Sequence, residues 1–186
     1  MHPVLQQVFD SWSDGLTGKS TAWCQLHPEQ EERLWSAQEI VEHLVLTCRS
    51  TSRMLEQRLQ RGPTSAHSTP VQWVLQMVML NFGRMPRGSP APIFARPDQL
   101  HWPEMSGVEL LNLFHQEVDQ MDSLIDRCRH RYGLQRVASH FILGPMRPDQ
   151  WRRFHVIHIR HHLGQLRRLQ QAVGDPIAHE PPPVRV

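Results

Sequence analysis

Trp151-Arg152-Arg153-Phe154-His155-Val156-Ile157-His158-Ile159-Arg160-His161-His162-Leu163-Gly164-Gln165-Leu166-Arg167-Arg168-Leu169 is the stretch on which the fold turns. Trp151, His155, His158, His162, Gln165 and Leu169 recur at spacings of three and four, so they share one face of an α-helix. Pro148 and Asp149 open that helix, and Gly174-Asp175-Pro176 closes it. The chain holds 13 histidines in 186 residues. At that density a single H-x-x-x-H pair is expected about once by chance. Four histidines within residues 155–162 are not, since about half a histidine is expected there. The clustering is therefore the signal.

Working outward, the remaining segments also read as helices. Val4, Leu5, Val8, Phe9 and Trp12 have helical spacing from Pro3 to about Gly15. A polar connector follows, with a turn at Leu26-His27-Pro28-Glu29. Ser36 with Glu39 is a capping-box pair opening a helix to about Arg61, stopped by Gly62-Pro63. Pro70 starts a third helix to about Phe82 whose apolar residues on several sides predict deep burial. The prolines between Gly83 and Pro103 exclude a regular helix or central strand. Ser106 with Glu109 opens the next helix, with Leu110, Leu113, Phe114, Val118, Met121, Leu124 and Ile125 inward and Gly133 as its stop. No strand pattern or repeat stands out. The fold expected is all-α: a four-helix bundle with crossover connections plus a short N-terminal helix. Residues 1–186 make one domain, with 176–186 a flexible tail.

Composition narrows the function classes. Hydrophobic residues are 39%, charged residues 20% and the formal charge is +2. No apolar run approaches the roughly 18 residues needed to span a bilayer, and no basic block invites nucleic acid. Arg153, Arg160 and Arg167 recur every seven residues as a solvated helix face. Neither membrane nor nucleic acid is expected as a partner. Cys24, Cys48 and Cys128 are odd in number and widely spaced, and the N-terminus does not read as a signal peptide. A cytoplasmic location is expected.

His158 and His162, four residues apart, can reach one ion from the same side. A third ligand must come from a neighbouring helix. His43 is the only histidine on the helix opened by Ser36, and it lies on or near the inward stripe. Three neutral imidazoles suit Zn, Ni, Fe or Cu, and leave a coordination position for water or substrate. Around this trio, Glu39, His155, His161 and Gln165 are candidates for supporting contacts. Gln165 is placed to fix an imidazole tautomer. His155 could instead be a ligand, and His115 could approach the centre from the fourth helix. Trp102, His115 and His140 are candidates for the pocket wall.

The stretch Leu34-Trp35-Ser36-Ala37-Gln38-Glu39-Ile40-Val41-Glu42-His43-Leu44 resembles the W-S-x-x-E-I-x-x-H-L helix of the DinB-like superfamily. His140 to Met146, Trp151 to Phe154 and His158 to Gln165 are similar to its closing H-P-x-x-G-x-M, W-x-x-F and H-x-x-H-H-x-x-Q. The likeness is nearest to a branch catalogued as a domain of unknown function. Phe141 stands where that branch has proline, and Leu163 where it has arginine. The resemblance implies a four-helix bundle, a metal on His43, His158 and His162, and a homodimer, for which Trp12, Trp73 and Met77 would offer apolar surface. It also implies thiol-dependent S-transferase or isomerase activity with bacillithiol, mycothiol or glutathione. The expected function is a divalent-metal-dependent enzyme acting on a small molecule, a thiol S-transferase or hydrolase. The alternatives are a non-catalytic metal-binding stress-response bundle and a helical interaction protein with incidental histidines.

Overall fold

The fold is taken from a computed structural model that describes residues 1–27, 35–83, 85, 92–97 and 102–174. The expected turn at Pro28-Glu29, Leu34 of the first motif and the tail 176–186 lie outside these residues. The described chain is mostly helical. In order it runs α1 (Pro3–Leu16), α2 (Thr21–Cys24), α3 (Ala37–Arg61), α4 (Pro70–Gln76), a π-helical turn (Met77–Asn81), a 3-10 turn (Ile93–Ala95), α5 (Gly107–Tyr132), β1 (Ala138–His140), β2 (Gly144–Met146) and α6 (Pro148–Val173).

The long helices start where their caps dictate. Ser36 Oγ accepts from the Glu39 amide at 3.2 Å, and Glu39 Oε2 accepts from the Ser36 amide at 2.7 Å. Ser106 and Glu109 repeat the arrangement at the head of α5. Each such cap contributes roughly 1 kcal/mol by satisfying backbone donors that the helix cannot. These boundaries fix the rotation of α3. His43 then faces inward with Ile40, Leu44, Cys48, Thr51 and Leu55, all buried.

α3 packs on α5 and on α6, and α1 lies against both α5 and α6. Trp12 of α1 is fully buried, sets its ring edge-on to Phe114 at 5.5 Å, and donates its indole N–H to the Ile159 carbonyl of α6 at 3.3 Å. It therefore belongs to the core and supplies none of the surface expected of it. Arg152, also buried, ties α6 to α5 with 2.6 Å bonds to Asp122 and Asp126. These contacts pin α6 to α1 and α5.

Two sequence expectations need correction. The helix at Pro70 is not largely buried: Val71, Trp73, Val74, Met77, Val78 and Phe82 are exposed, while Gln76, Met79 and Leu80 are buried and the half-buried Leu75 packs on the core. It keeps α geometry through Gln76 and then widens into the π turn. The change of pitch turns a narrow strip of the segment inward and leaves its other sides outward. Second, the expectation of a chain without strands fails at 138–146, an antiparallel hairpin in which Ala138 pairs with Met146 and His140 with Gly144. Three-residue strands containing Gly and Pro carry almost no alternation for a sequence reading to detect. The hairpin sits on α4 because Gln76 Nε2 donates to the Leu143 and Pro145 carbonyls. Gly144 has φ +72°, and a Cβ there would collide with the Gln72 amide.

Candidate metal centre

α3 contributes His43 from its second turn, and α6 contributes His158 and His162 from successive turns on one face. The three are the group among the described residues whose ligand atoms could hold a metal ion, all lying within 4.8 Å of one another. His43 Nε2 is 3.1 Å from His158 Nε2, and His162 Nε2 is 3.1 Å from the same atom. All three are buried, with 5%, 6% and 5% of their surface exposed.

What lies behind two of the rings sets where their lone pairs point. His43 Nδ1 is 2.6 Å from the Ala95 carbonyl, and His162 Nδ1 is 2.6 Å from Gln165 Oε1. Each oxygen can only accept, so both Nδ1 atoms carry the proton and both Nε2 atoms present lone pairs toward His158. Nitrogens in tetrahedral array around zinc at its usual bond length stand about 3.3 Å apart. The observed 3.1 Å spacings fit that requirement.

Aromatic rings box the imidazoles. Trp35 stacks on His162 at 6.1 Å and 13° and tilts over His43 at 4.9 Å. Phe154 stacks on His158 at 5.4 Å and 14°. Burial holds the pKa of His43 down and pushes those of His158 and His162 well below the ordinary histidine value, with mutual repulsion among the rings adding to it. Neutral imidazole is the form that binds a cation.

The other candidates are placed as follows. Gln165 touches His162 as described. His161 packs edge-on against His162 at 5.2 Å between centroids and is half-buried. His155 is fully buried, its Nε2 3.0 Å from Thr51 Oγ1. His140, on β1, accepts at Nδ1 from the Ile142 and Leu143 amides, and Phe154 lies between it and His158. Burial lowers its pKa to about 4. Glu39 is spent on the α3 cap and a 3.7 Å approach to His27. Trp102 packs under the Arg49 guanidinium at 5.3 Å. His115 is exposed and rests edge-on against Phe9 of α1 at 4.9 Å, on the α5 surface that faces α1. Among the described residues, the hydrogen bonds, ion pairs and ring contacts of Glu39, Trp102 and His115 do not involve the three histidines.

Sequence reasoning missed Ala95, Trp35, Phe154 and Thr51. The Ala95 contribution is a backbone carbonyl in a proline-rich segment, which no side-chain pattern can reveal. Trp35 and Phe154 stood inside the quoted motifs, but a ring at helical spacing reads first as core. The cysteines are buried, none belongs to the cluster, and desolvation raises the thiol pKa of Cys24 and Cys128 to about 11.

The fold and this centre together define a class: a mostly helical protein with three buried histidines that could hold a metal ion. Residues 24–169 match the family model described as Protein of unknown function (DUF1569), which covers well over half of the chain. The chain belongs to that family. No curated protein and no solved structure matches it.

Proposed function

We propose that this chain is a divalent-metal-dependent enzyme acting on a small molecule, of thiol S-transferase or hydrolase type, built as a DinB-like four-helix bundle. This reading departs from the sequence expectation, which counted the Pro70 helix among the four and the N-terminal helix as an addition: α1, α3, α5 and α6 are the four helices, and the long connections around α4 and the hairpin are its crossovers. The observation that carries the reading is the convergence of the three Nε2 atoms, two of them aimed by oxygen acceptors behind the rings. Three protein ligands leave coordination open, as a catalytic site requires. A bound zinc, nickel or iron ion would supply Lewis acidity and lower the pKa of a thiol or water at its open position. His43, His158 and His162 hold and orient, while Trp35 and Phe154 keep bulk water from the ring faces.

The near-complete burial of all three histidines favours a second reading, a bundle that keeps the ion without catalysis. Metal analysis of the purified protein tests both together. The enzyme reading then requires that glutathione, bacillithiol or mycothiol change the visible spectrum of the cobalt-substituted protein. An unchanged spectrum with every thiol and with candidate hydrolysable substrates refutes it. The reading includes a homodimer, supported by the exposed face of Trp73, Val74, Met77 and Val78. Light scattering giving the 21.7 kDa monomer mass at low micromolar concentration refutes that part.

A further inference from the structure

His43 and His162 each have an oxygen behind the ring, but His158 does not. Its Nδ1 is buried and has no hydrogen-bond partner among the described residues. If His158 Nε2 is to give its lone pair to a cation, the ring proton must sit on Nδ1, and a buried N–H without an acceptor costs about 1–3 kcal/mol. The same face of α6 carries a matching group one turn earlier. His155 is 0% exposed, and its Nδ1 is likewise buried without a partner, while its Nε2 meets Thr51 Oγ1 at 3.0 Å. When Nε2–H donates to the Thr51 hydroxyl, His155 Nδ1 is a lone pair, which is what His158 lacks.

No direct hydrogen bond joins the two nitrogens, so the link needs an intermediate. A buried water is retained where two to four polar atoms otherwise lack partners. Besides the two imidazole nitrogens, Trp151 Nε1 on the same helix face and Ser52 Oγ, next to Thr51 on α3, are buried and unpartnered. Trp151 stacks toward His155 with centroids 6.4 Å apart, and Phe154 packs against both His155 and His158. All four unsatisfied polar atoms belong to α3 or α6, two helices that pack on each other.

We propose that His155 is a positioning residue for the metal centre: through one buried water between these helices its Nδ1 accepts the proton that His158 carries on Nδ1, turning His158 Nε2 toward the ion. In this assignment His155 Nε2–H donates to the Thr51 hydroxyl. This rests on the cluster being a metal centre.

The test compares zinc affinity, by competition with a chromophoric chelator at pH 7.5, in the full chain and its His155→Asn and His155→Gln variants. The asparagine amide reaches the place of Nδ1, the glutamine amide that of Nε2. His155→Gln should weaken zinc binding about 10- to 100-fold, the range typical of lost outer-shell partners, with His155→Asn retaining most of the affinity. A packing role exercised through Thr51 gives the opposite order, and that order, or equal affinities in all three proteins, overturns the proposal. Melting of the chelator-treated proteins reports whether each variant folds. Should they not fold, the unaltered protein still decides. Long-range proton–nitrogen correlation spectra of its zinc form, with labelled histidine, should show His155 protonated at Nε2 with a bare Nδ1, and His155 protonated at Nδ1 overturns the assignment. If the unaltered protein binds no zinc, cobalt or nickel, the metal-centre reading itself falls. If it binds but the variants match it, only the role of His155 falls.

Discussion

Lowering the pH should unfold the metal-free protein steeply, and the slope follows from its buried histidines. Burial lowers the His155 pKa to about 3 and takes those of His158 and His162 well below the ordinary value, while His43 moves in the same direction. In the unfolded chain each titrates near 6.5. Below that pH the unfolded state takes up protons that the folded state refuses. The stability is therefore intact above about pH 6.5 and is lost as pH falls toward the depressed folded-state values. One proton of difference is worth about 1.4 kcal/mol per pH unit. His155, His158 and His162 together give about 4 kcal/mol per unit, with His43 and His140, whose pKa burial lowers to about 4, adding to it. Against a total stability on the order of 5–15 kcal/mol, two units consume most of it, so the midpoint should fall near pH 4.5–5.5. Urea unfolding at a series of pH values between 7.5 and 5, in chelator, measures the slope, and potentiometry at pH 5.5 counts the protons taken up on unfolding. Uptake of fewer than about two protons per chain, beyond the carboxylate background, would refute the claim that these imidazoles are held neutral.

Three further outcomes can be checked separately. His158→Ala, which removes the nitrogen shared by both 3.1 Å contacts, should abolish stoichiometric metal binding; full occupancy by elemental analysis would take His158 out of the site. Gln165→Leu should lower zinc affinity about 10- to 100-fold by leaving His162 Nδ1–H without its acceptor, and an unchanged chelator competition would show the contact to be idle. Gly144→Ala should cost about 1–3 kcal/mol in urea unfolding, because φ is +72° and the new methyl meets the Gln72 amide; a loss within experimental error would mean the hairpin shifts freely on α4.

Much of the helical framework was legible because it is written in local rules. Ser36 with Glu39 and Ser106 with Glu109 announce helix starts through hydrogen bonds to their own backbone, and Gly62 and Gly133 announce stops. The approach of His43 to His158 and His162 was legible for a related reason: spacing set two histidines on one face, and only one histidine was available on α3. What escaped was settled by tertiary contact. The burial of α4 is decided by how little surface the hairpin and α6 offer it, not by its own apolar content. Glu39 looked like a supporting carboxylate because it lies one turn before His43, yet the cap claims it first. His115 reads as inward by position on α5, but α1 is what it faces.

His43 and His158 stand 115 positions apart in the chain and meet with 3.1 Å between their ring nitrogens. An ion seated between them would close nearly two thirds of the polypeptide into a loop. Topologically it would act as a removable cross-link, comparable to a disulfide over a loop of that length, which in the chain-entropy picture restricts the unfolded ensemble by about 4–5 kcal/mol for as long as the link survives unfolding. A disulfide's closure answers to oxidants. This one, made wholly of imidazole, would answer to the supply of metal and to pH, and thiol oxidation would leave it untouched.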